Sequence, residues 1–176
     1  MSLVRKVFID GREISRDAPP YIIAELSANH NGKIENAFKI IDEAKKAGAD
    51  AIKLQTYTAD TITLDSTEDD FLIKGGLWDG RTLYDLYQEA HMPWEWHKTL
   101  FEYAKKVGIT IFSSPFDNTA VDLLENLGAP AYKIASFEAI DLPLIRYVAS
   151  KGKPMIISTG MANLEEIQQA IDTAVS

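Results

Sequence analysis

Cysteine is absent from all 176 residues. That excludes disulfides, zinc–thiolate centres and a cysteine nucleophile, and it fits a cytoplasmic location. Histidine is scarce: there are three, and no His-x-His or His-x3-His pair occurs. No apolar run approaches the roughly 20 residues of a membrane span. Residues 1–6 lack the apolar core of a signal peptide. Positive charge is in deficit, for a net −8. That argues against nucleic acid as the main partner, because such proteins carry a basic face. It leaves room for a small anion, which a few local cations suffice to hold. No low-complexity segment is present, and the acidic stretch 65–70 reads as a solvated loop.

What is present is ordinary globular composition, with 46% hydrophobic and 25% charged residues. One domain with a sizeable core is expected. Residues 4–15 alternate around Asp10-Gly11, a hairpin signal. Pro19-Pro20 breaks the chain, and strands then alternate with helices. Strands are expected at 21–26, 51–55, 109–113, 131–135 and 155–158. Helices are expected at 34–47, with Ala37, Ile40, Ile41 and Ala44 on one face, and at 96–106, 119–127 and 142–150. Glycines 48, 108, 128 and 152 stop them. Asn163, with Glu166 at the capping-box position, opens a last helix. Residues 56–93 form a long excursion without a periodic signal.

Continuously apolar strands alternating with helices predict a parallel sheet with helices outside it. Two architectures fit: an open doubly wound sheet, or part of a (βα)8 TIM barrel. Polar residues stand at the C-terminal end of every strand: Glu25, Lys53 and Gln55, Ser113 and Ser114, Lys133 and Ser136, Ser158 and Thr159. An open sheet binds ligands at one switch point, whereas a barrel converges all its strand ends on one site. The barrel is therefore the expected fold. A closed barrel needs eight units, and the pattern supplies about five. The expected organisation is an N-terminal hairpin at 1–18, then the first part of a barrel domain at 19–176.

Lys53 and Lys133 end two of these strands. Lysine is expensive to bury, so a lysine on an interior strand has an anion to meet or chemistry to perform. The alternative is a side chain that snorkels from the strand end or pairs with Glu25. Ser114, Ser136 and Ser158 occupy equivalent places on three loops and can donate hydroxyl hydrogen bonds to an anion. Each alone would read equally as a turn or cap residue. Gly160 allows backbone amides to approach closely.

Several motifs carry a family resemblance. They are Ala24-Glu25-Leu26-Ser27-Ala28-Asn29-His30-Asn31-Gly32, Ile52-Lys53-Leu54-Gln55-Thr56-Tyr57, Ser113-Ser114-Pro115-Phe116-Asp117, Tyr132-Lys133-Ile134-Ala135-Ser136-Phe137-Glu138 and Ser158-Thr159-Gly160-Met161. In this order, and over nearly the whole chain from Tyr21, the sequence resembles the sialic acid synthase family. Residues 77–97, from Leu77-Trp78-Asp79-Gly80-Arg81 to Trp94-Glu95-Trp96-His97, resemble its pseudaminic acid synthase branch, as does Phe137.

The resemblance implies a phosphoenolpyruvate-dependent condensation. The acceptor would be an N-acetylated amino sugar, in this branch a 2,4-diacetamido-2,4,6-trideoxy-altrose. The product would be a nine-carbon 2-keto sugar acid, with phosphate released. Catalytic roles fall to Glu25, Lys53, Lys133 and Glu138. Substrate contacts fall to Gln55, Ser114, Ser136, Ser158, Asn29, His30, Phe116 and Arg81, with Tyr84 beside them. His30 reads equally as a rim histidine making a loop hydrogen bond. The cluster of Trp94, Trp96, His91 and His97 would either cover apolar sugar groups or pack the excursion onto the barrel. The family uses a divalent metal, manganese or magnesium, whose histidine ligands come from later barrel strands, so no metal ligand is expected here. A homodimer and a C-terminal antifreeze-like domain are implied for the family. The 176-residue piece alone is expected to be inactive. Competing readings are a legionaminic or N-acetylneuraminic acid synthase, a Schiff-base aldolase with Lys133 as nucleophile, and a non-catalytic phosphate-binding module.

Overall fold

Asp10 and Gly11 both take left-handed backbone angles, φ 50 and 79, which a two-residue turn between right-twisted strands requires. The hairpin they close joins β1 (Val7–Ile9) to β2 (Arg12–Ile14), with Val7 opposite Ile14 and Ile9 opposite Arg12. The computed structural model describes residues 6–176. The expected start of the hairpin at Val4 lies outside the described residues.

Five parallel strands follow: β3 (Ile23–Glu25), β4 (Ala51–Thr56), β5 (Thr110–Pro115), β6 (Tyr132–Ile134) and β7 (Met155–Ile157). They lie in the sheet in the order β3-β4-β5-β6-β7. Each crossover advances one place and none reverses, so there is no switch point of the doubly wound kind. Helices α1 (Ile34–Lys46), α4 (Trp94–Val107), α5 (Asn118–Asn126), α6 (Leu142–Ala149) and α7 (Leu164–Val175) alternate with the strands. Between β4 and α4 lie α2 (Ala59–Ile62) and α3 (Leu83–Ala90). A sheet wound in one sense with its helices on one face curls, and this one is a half-barrel. Among the described residues, β3 pairs only with β4 and β7 only with β6.

Alternation along the strands divides the core in two. Ile52, Leu54, Ile111, Tyr132 and Ile134 face the helices and pack with Ile41, Leu100, Leu124 and Ile145. Ala51, Phe112 and Ala131 face the inside and pack with Ile9 of the hairpin and with Ile23 and Ile156. The hairpin is pinned to the N-terminal ends of the strands. Arg12 pairs with Asp50, whose other oxygen accepts the Ile22 amide proton at 2.7 Å. Thr110 Oγ1 donates to Asp10 at 2.8 Å. The inside of the half-barrel is thus dry and capped at one end, and its polar residues gather at the other.

The helix ends follow the local chemistry. Asp117 accepts the amide protons of Thr119 and Ala120, Asp141 that of Leu144, and Asn163 forms the expected capping box with Glu166. Three strands are shorter than expected. β3, with a partner on one side only, keeps three of the six residues 21–26 that suggested it, β6 three of five and β7 three of four. In the excursion lie α2, of four residues, and α3, of eight, neither of which was expected from the sequence.

Ile9 is 1% exposed and is the hairpin's main apolar contact with the strands. Ile9→Ala is expected to lower the unfolding free energy by about 2–4 kcal/mol, as measured by urea denaturation. A loss below about 0.5 kcal/mol, the range of surface substitutions, would mean that the hairpin does not seal the strands.

Candidate functional site

Because Ala51, Phe112 and Ala131 point inward, so do Lys53, Gln55, Ser114 and Lys133 by alternation. Register aligns them across strands: Glu25 lies opposite Lys53, and Gln55 opposite Ser114. Lys53 is only 8% exposed. Its Nζ sits 2.8 Å from Glu25 Oε2 and 3.5 Å from Ser114 Oγ, to which it donates. The Glu25 side chain is 53% exposed, so this carboxylate reaches both the buried ammonium and the open mouth.

Lys133 donates to the carbonyl of Ile134 at 2.7 Å. Burial lowers its pKa, and the nearby Lys53 lowers it further, while Glu25 and Glu138 act in the opposite sense. The charge of Lys53 is therefore felt at Lys133, and Glu25 pairs with Lys53. Glu138 lies on the 3-10 turn Phe137–Ile140 that follows β6. Its Oε2 is buried without a hydrogen-bond partner. Burial raises its pKa, Asp141 adds to the rise, and Lys133 opposes it.

Ser136 starts that turn, and the Ser158 amide donates to the Ile134 carbonyl at 3.0 Å, extending the β6–β7 ladder. The loop after β7 then crosses Ser136 closely. A Cβ at Gly160 would fall 2.4 Å from Ser136 Cβ, and φ there is 47. Glycine alone allows this approach. Glu25, Lys53, Gln55, Ser114, Lys133, Ser136, Glu138 and Ser158 all stand at the C-terminal ends of the strands, on the mouth opposite the hairpin.

The other expected contact residues are placed as follows. His30 is 1% exposed rather than on an open rim. Its Nδ1 accepts the Gly32 amide proton at 3.1 Å, and its ring meets Trp96 edge-on at 5.3 Å. The loop hydrogen bond is the arrangement observed, and burial lowers the ring's pKa. Asn29, on the same turn, is exposed. Arg81 is engaged on α3, pairing with Glu89 at 2.8 Å and donating to the Asp85 carbonyl at 3.1 Å. Tyr84 donates to Asp60 at 3.0 Å. Phe116 packs against Tyr57, which meets Tyr87 in turn, and Trp94 Nε1 donates to the Tyr57 carbonyl at 3.2 Å. The aromatic cluster thus packs the excursion onto the strand ends. His97 is buried and bonded to Thr56, a contact that the alternation of β4 could have suggested, since Thr56 has the helix-facing parity. Among the described residues, no three His, Asp or Glu side chains gather where they could hold a metal ion.

Residues 40–176 match the NeuB family. The chain is 56% identical to the pseudaminic acid synthase of Campylobacter jejuni over 151 residues, covering 86% of this chain and 44% of that protein. It is 54% identical to the pseudaminic acid synthase of Helicobacter pylori over 153 residues, covering 87% and 45%. Identity to the N,N'-diacetyllegionaminic acid synthase of Legionella pneumophila is 39% over 153 residues, covering 87% and 43%. The chain therefore spans less than half the length of these curated relatives. The crystal structure of an N-acetylneuraminic acid synthetase from Leptospira borgpetersenii, in complex with citrate, superposes with a TM-score of 0.84 at 28% identity, covering 97% of this chain and 55% of that one. A truncated 3-deoxy-D-arabino-heptulosonate 7-phosphate synthase from Thermotoga maritima shares the fold, with a TM-score of 0.64 at 14% identity, covering 97% of this chain and 52% of that one.

The raised pKa of Glu138 has a measurable consequence. A group whose folded pKa is raised lends stability below its unfolded value and loses it as pH rises through the folded value. Glu138→Gln mimics the neutral carboxyl, so it is expected to be more stable than the unaltered chain at about pH 7 and to lose that advantage by about pH 4. Urea midpoints at the two pH values check this. An equal difference at both would show that ionised Glu138 carries no burial penalty.

Proposed function

The chain belongs to the NeuB family, that of the sialic acid synthases, on its pseudaminic branch, and from this premise we propose that the protein condenses phosphoenolpyruvate with a 2,4-diacetamido-2,4,6-trideoxy-altrose to give pseudaminic acid and phosphate. The reaction is proposed for the protein extended to its relatives' length. One observation carries it: Lys53 and Lys133 both stand on the inner face at one strand-end mouth, where Glu25 pairs with Lys53 and Lys133 meets the Ile134 carbonyl. That surplus of positive charge suits a small, multiply charged anion. The citrate complex of the Leptospira relative supports an anion site in this fold.

In this reading Lys53 and Lys133 hold the phosphate and carboxylate of phosphoenolpyruvate, as mobile point charges that follow changing phosphate geometry. Ser114, Ser136 and Ser158 donate hydroxyl hydrogen bonds to phosphate oxygens, and Gln55 orients Lys53 or the ligand. Carbon 3 of the enol phosphate forms the new bond to the aldehyde carbon. The aldehyde oxygen receives a proton, for which Glu138, held towards its protonated form by burial, is the candidate donor. Water adds at carbon 2 and gives up a proton to Glu25, which faces the mouth. Cleavage of the C–O bond then releases phosphate, which takes the proton of the carbon-2 hydroxyl as that oxygen becomes the ketone of the 2-keto acid. Asn29 is the remaining exposed candidate for a sugar contact. A manganese or magnesium ion would polarise the aldehyde, but the described residues supply no ligand set for it, and no step is assigned to it. A homodimer in the cytoplasm is the proposed setting. Among the described residues, no helix is long and apolar enough to cross a membrane.

A second reading has its own support. Burial favours the neutral amine of Lys133, which a Schiff-base nucleophile needs. Borohydride added with substrate would trap it, whereas the condensation leaves nothing to trap.

The test is phosphate release from phosphoenolpyruvate, with manganese and one of three acceptors: N-acetylmannosamine, the diacetamido-trideoxy-mannose or the diacetamido-trideoxy-altrose. It is run on this chain and on the chain extended through its reading frame. Release with the altrose alone, in the extended chain alone, is the expected result. Release with another sugar keeps the family and discards the acceptor. No release from the extended chain with any of them overturns the proposal.

A further inference from the structure

The helix-facing side of β4 and β5 is apolar at Ile52, Leu54 and Ile111, and then changes character at the strand ends. Thr56, Ser113 and His97 of α4 are all 0% exposed there. His97 Nε2 lies 2.8 Å from Thr56 Oγ1, which lies 2.7 Å from Ser113 Oγ. His97 Nδ1 lies 3.3 Å from the Pro93 carbonyl.

These partners leave one proton arrangement. A carbonyl only accepts, so Nδ1 carries the ring proton. Burial disfavours a second proton on the ring, so Nε2 accepts. Thr56 therefore donates to Nε2, and Ser113 donates to Thr56. Every buried polar atom in this chain of contacts is satisfied, and removing one member strands the others in an apolar layer.

Thr56 directly follows Gln55, and Ser113 directly precedes Ser114. Gln55 and Ser114 are Cα partners on the inner face. Side chains alternate, so a one-residue slip of either strand would send the network's hydroxyls inward and turn the mouth residues towards the helices. The hydroxyls thus stand on the reverse side of the same strand ends that present Lys53, Gln55 and Ser114.

We propose that His97, Thr56 and Ser113 form a positioning network that locks the register of β4, β5 and α4 and so holds Lys53, Gln55 and Ser114 at the geometry the phosphate of the substrate requires. The inference rests on the phosphoenolpyruvate reading for its substrate. Thr56 and Ser113 face the helices, on the side of the strands away from the mouth, and His97 stands on α4.

Positioning can be separated from mere stability. In the extended protein, Thr56→Val leaves Ser113 Oγ and His97 Nε2 without partners. Thermal stability is expected to fall, and the KM for phosphoenolpyruvate to rise about tenfold. Thr56→Ser keeps the hydroxyl and restores both. The triple variant Thr56→Val, His97→Leu, Ser113→Ala replaces the whole network with apolar groups, which recovers stability. Its KM for phosphoenolpyruvate is expected to stay raised. A triple variant that recovers both stability and KM overturns the proposal, and so does a Thr56→Val variant with unaltered KM. If the unaltered extended protein releases no phosphate, the proposed function itself is overturned. Nitrogen-15 shifts of His97 in this chain give an answer independent of the reaction. A protonated Nδ1 and a bare Nε2 are expected, and the opposite tautomer would overturn the network.

Discussion

An ammonium group held at 8% exposure on the inner face of β4 constrains what surrounds it. An uncompensated charge there would be costly. Glu25 meets it at 2.8 Å from the adjacent strand and Ser114 at 3.5 Å from the other. Both neighbours must be in register for the contacts to exist: Glu25 lies level with Lys53, and Ser114 level with Gln55 two residues further along. Lys133, one strand further round, then meets a field that is already positive. The site's character follows from two lysines at one mouth, of which Lys53 holds the ion pair to Glu25.

The rest of the fold makes that arrangement local. Below the lysines the inside of the half-barrel is filled by Ala51, Phe112, Ala131 and Ile9. The hairpin closes that end through Arg12, Asp50, Asp10 and Thr110. Charge inside the sheet can therefore be solvated only at the mouth, where Glu25 is half open. Strands in sequence order bring all five C-terminal ends to that mouth.

The strand–helix alternation was legible because glycines stop the helices and apolar runs mark the strands. Strand parity also separates Ser114, which faces in, from Ser113, which faces the helices, although adjacency alone suggested a shared role. Parity works because a period of two survives tertiary packing. Side-chain partners were not legible in the same way. Arg81 pairs with Glu89 within an excursion that has no long periodic signal, and His30 turns into the protein against Trp96, a residue 66 positions away in sequence (96 − 30). The seating of the hairpin under the strands depends on Ile9 and Thr110, whose proximity only the folded chain creates. The sequence marked the positions around the mouth, and the structure decided which of them point into it.

Gly160 and Ser136 approach so closely that a single methyl group would collide. The loops after β6 and β7 are thereby joined as one body, although loops at the strand ends of such folds ordinarily vary independently. A length change in one would have to be matched in the other. Here the surface that could most readily diversify for a new ligand is the part least free to do so, and divergence would fall instead on the long excursion between β4 and α4.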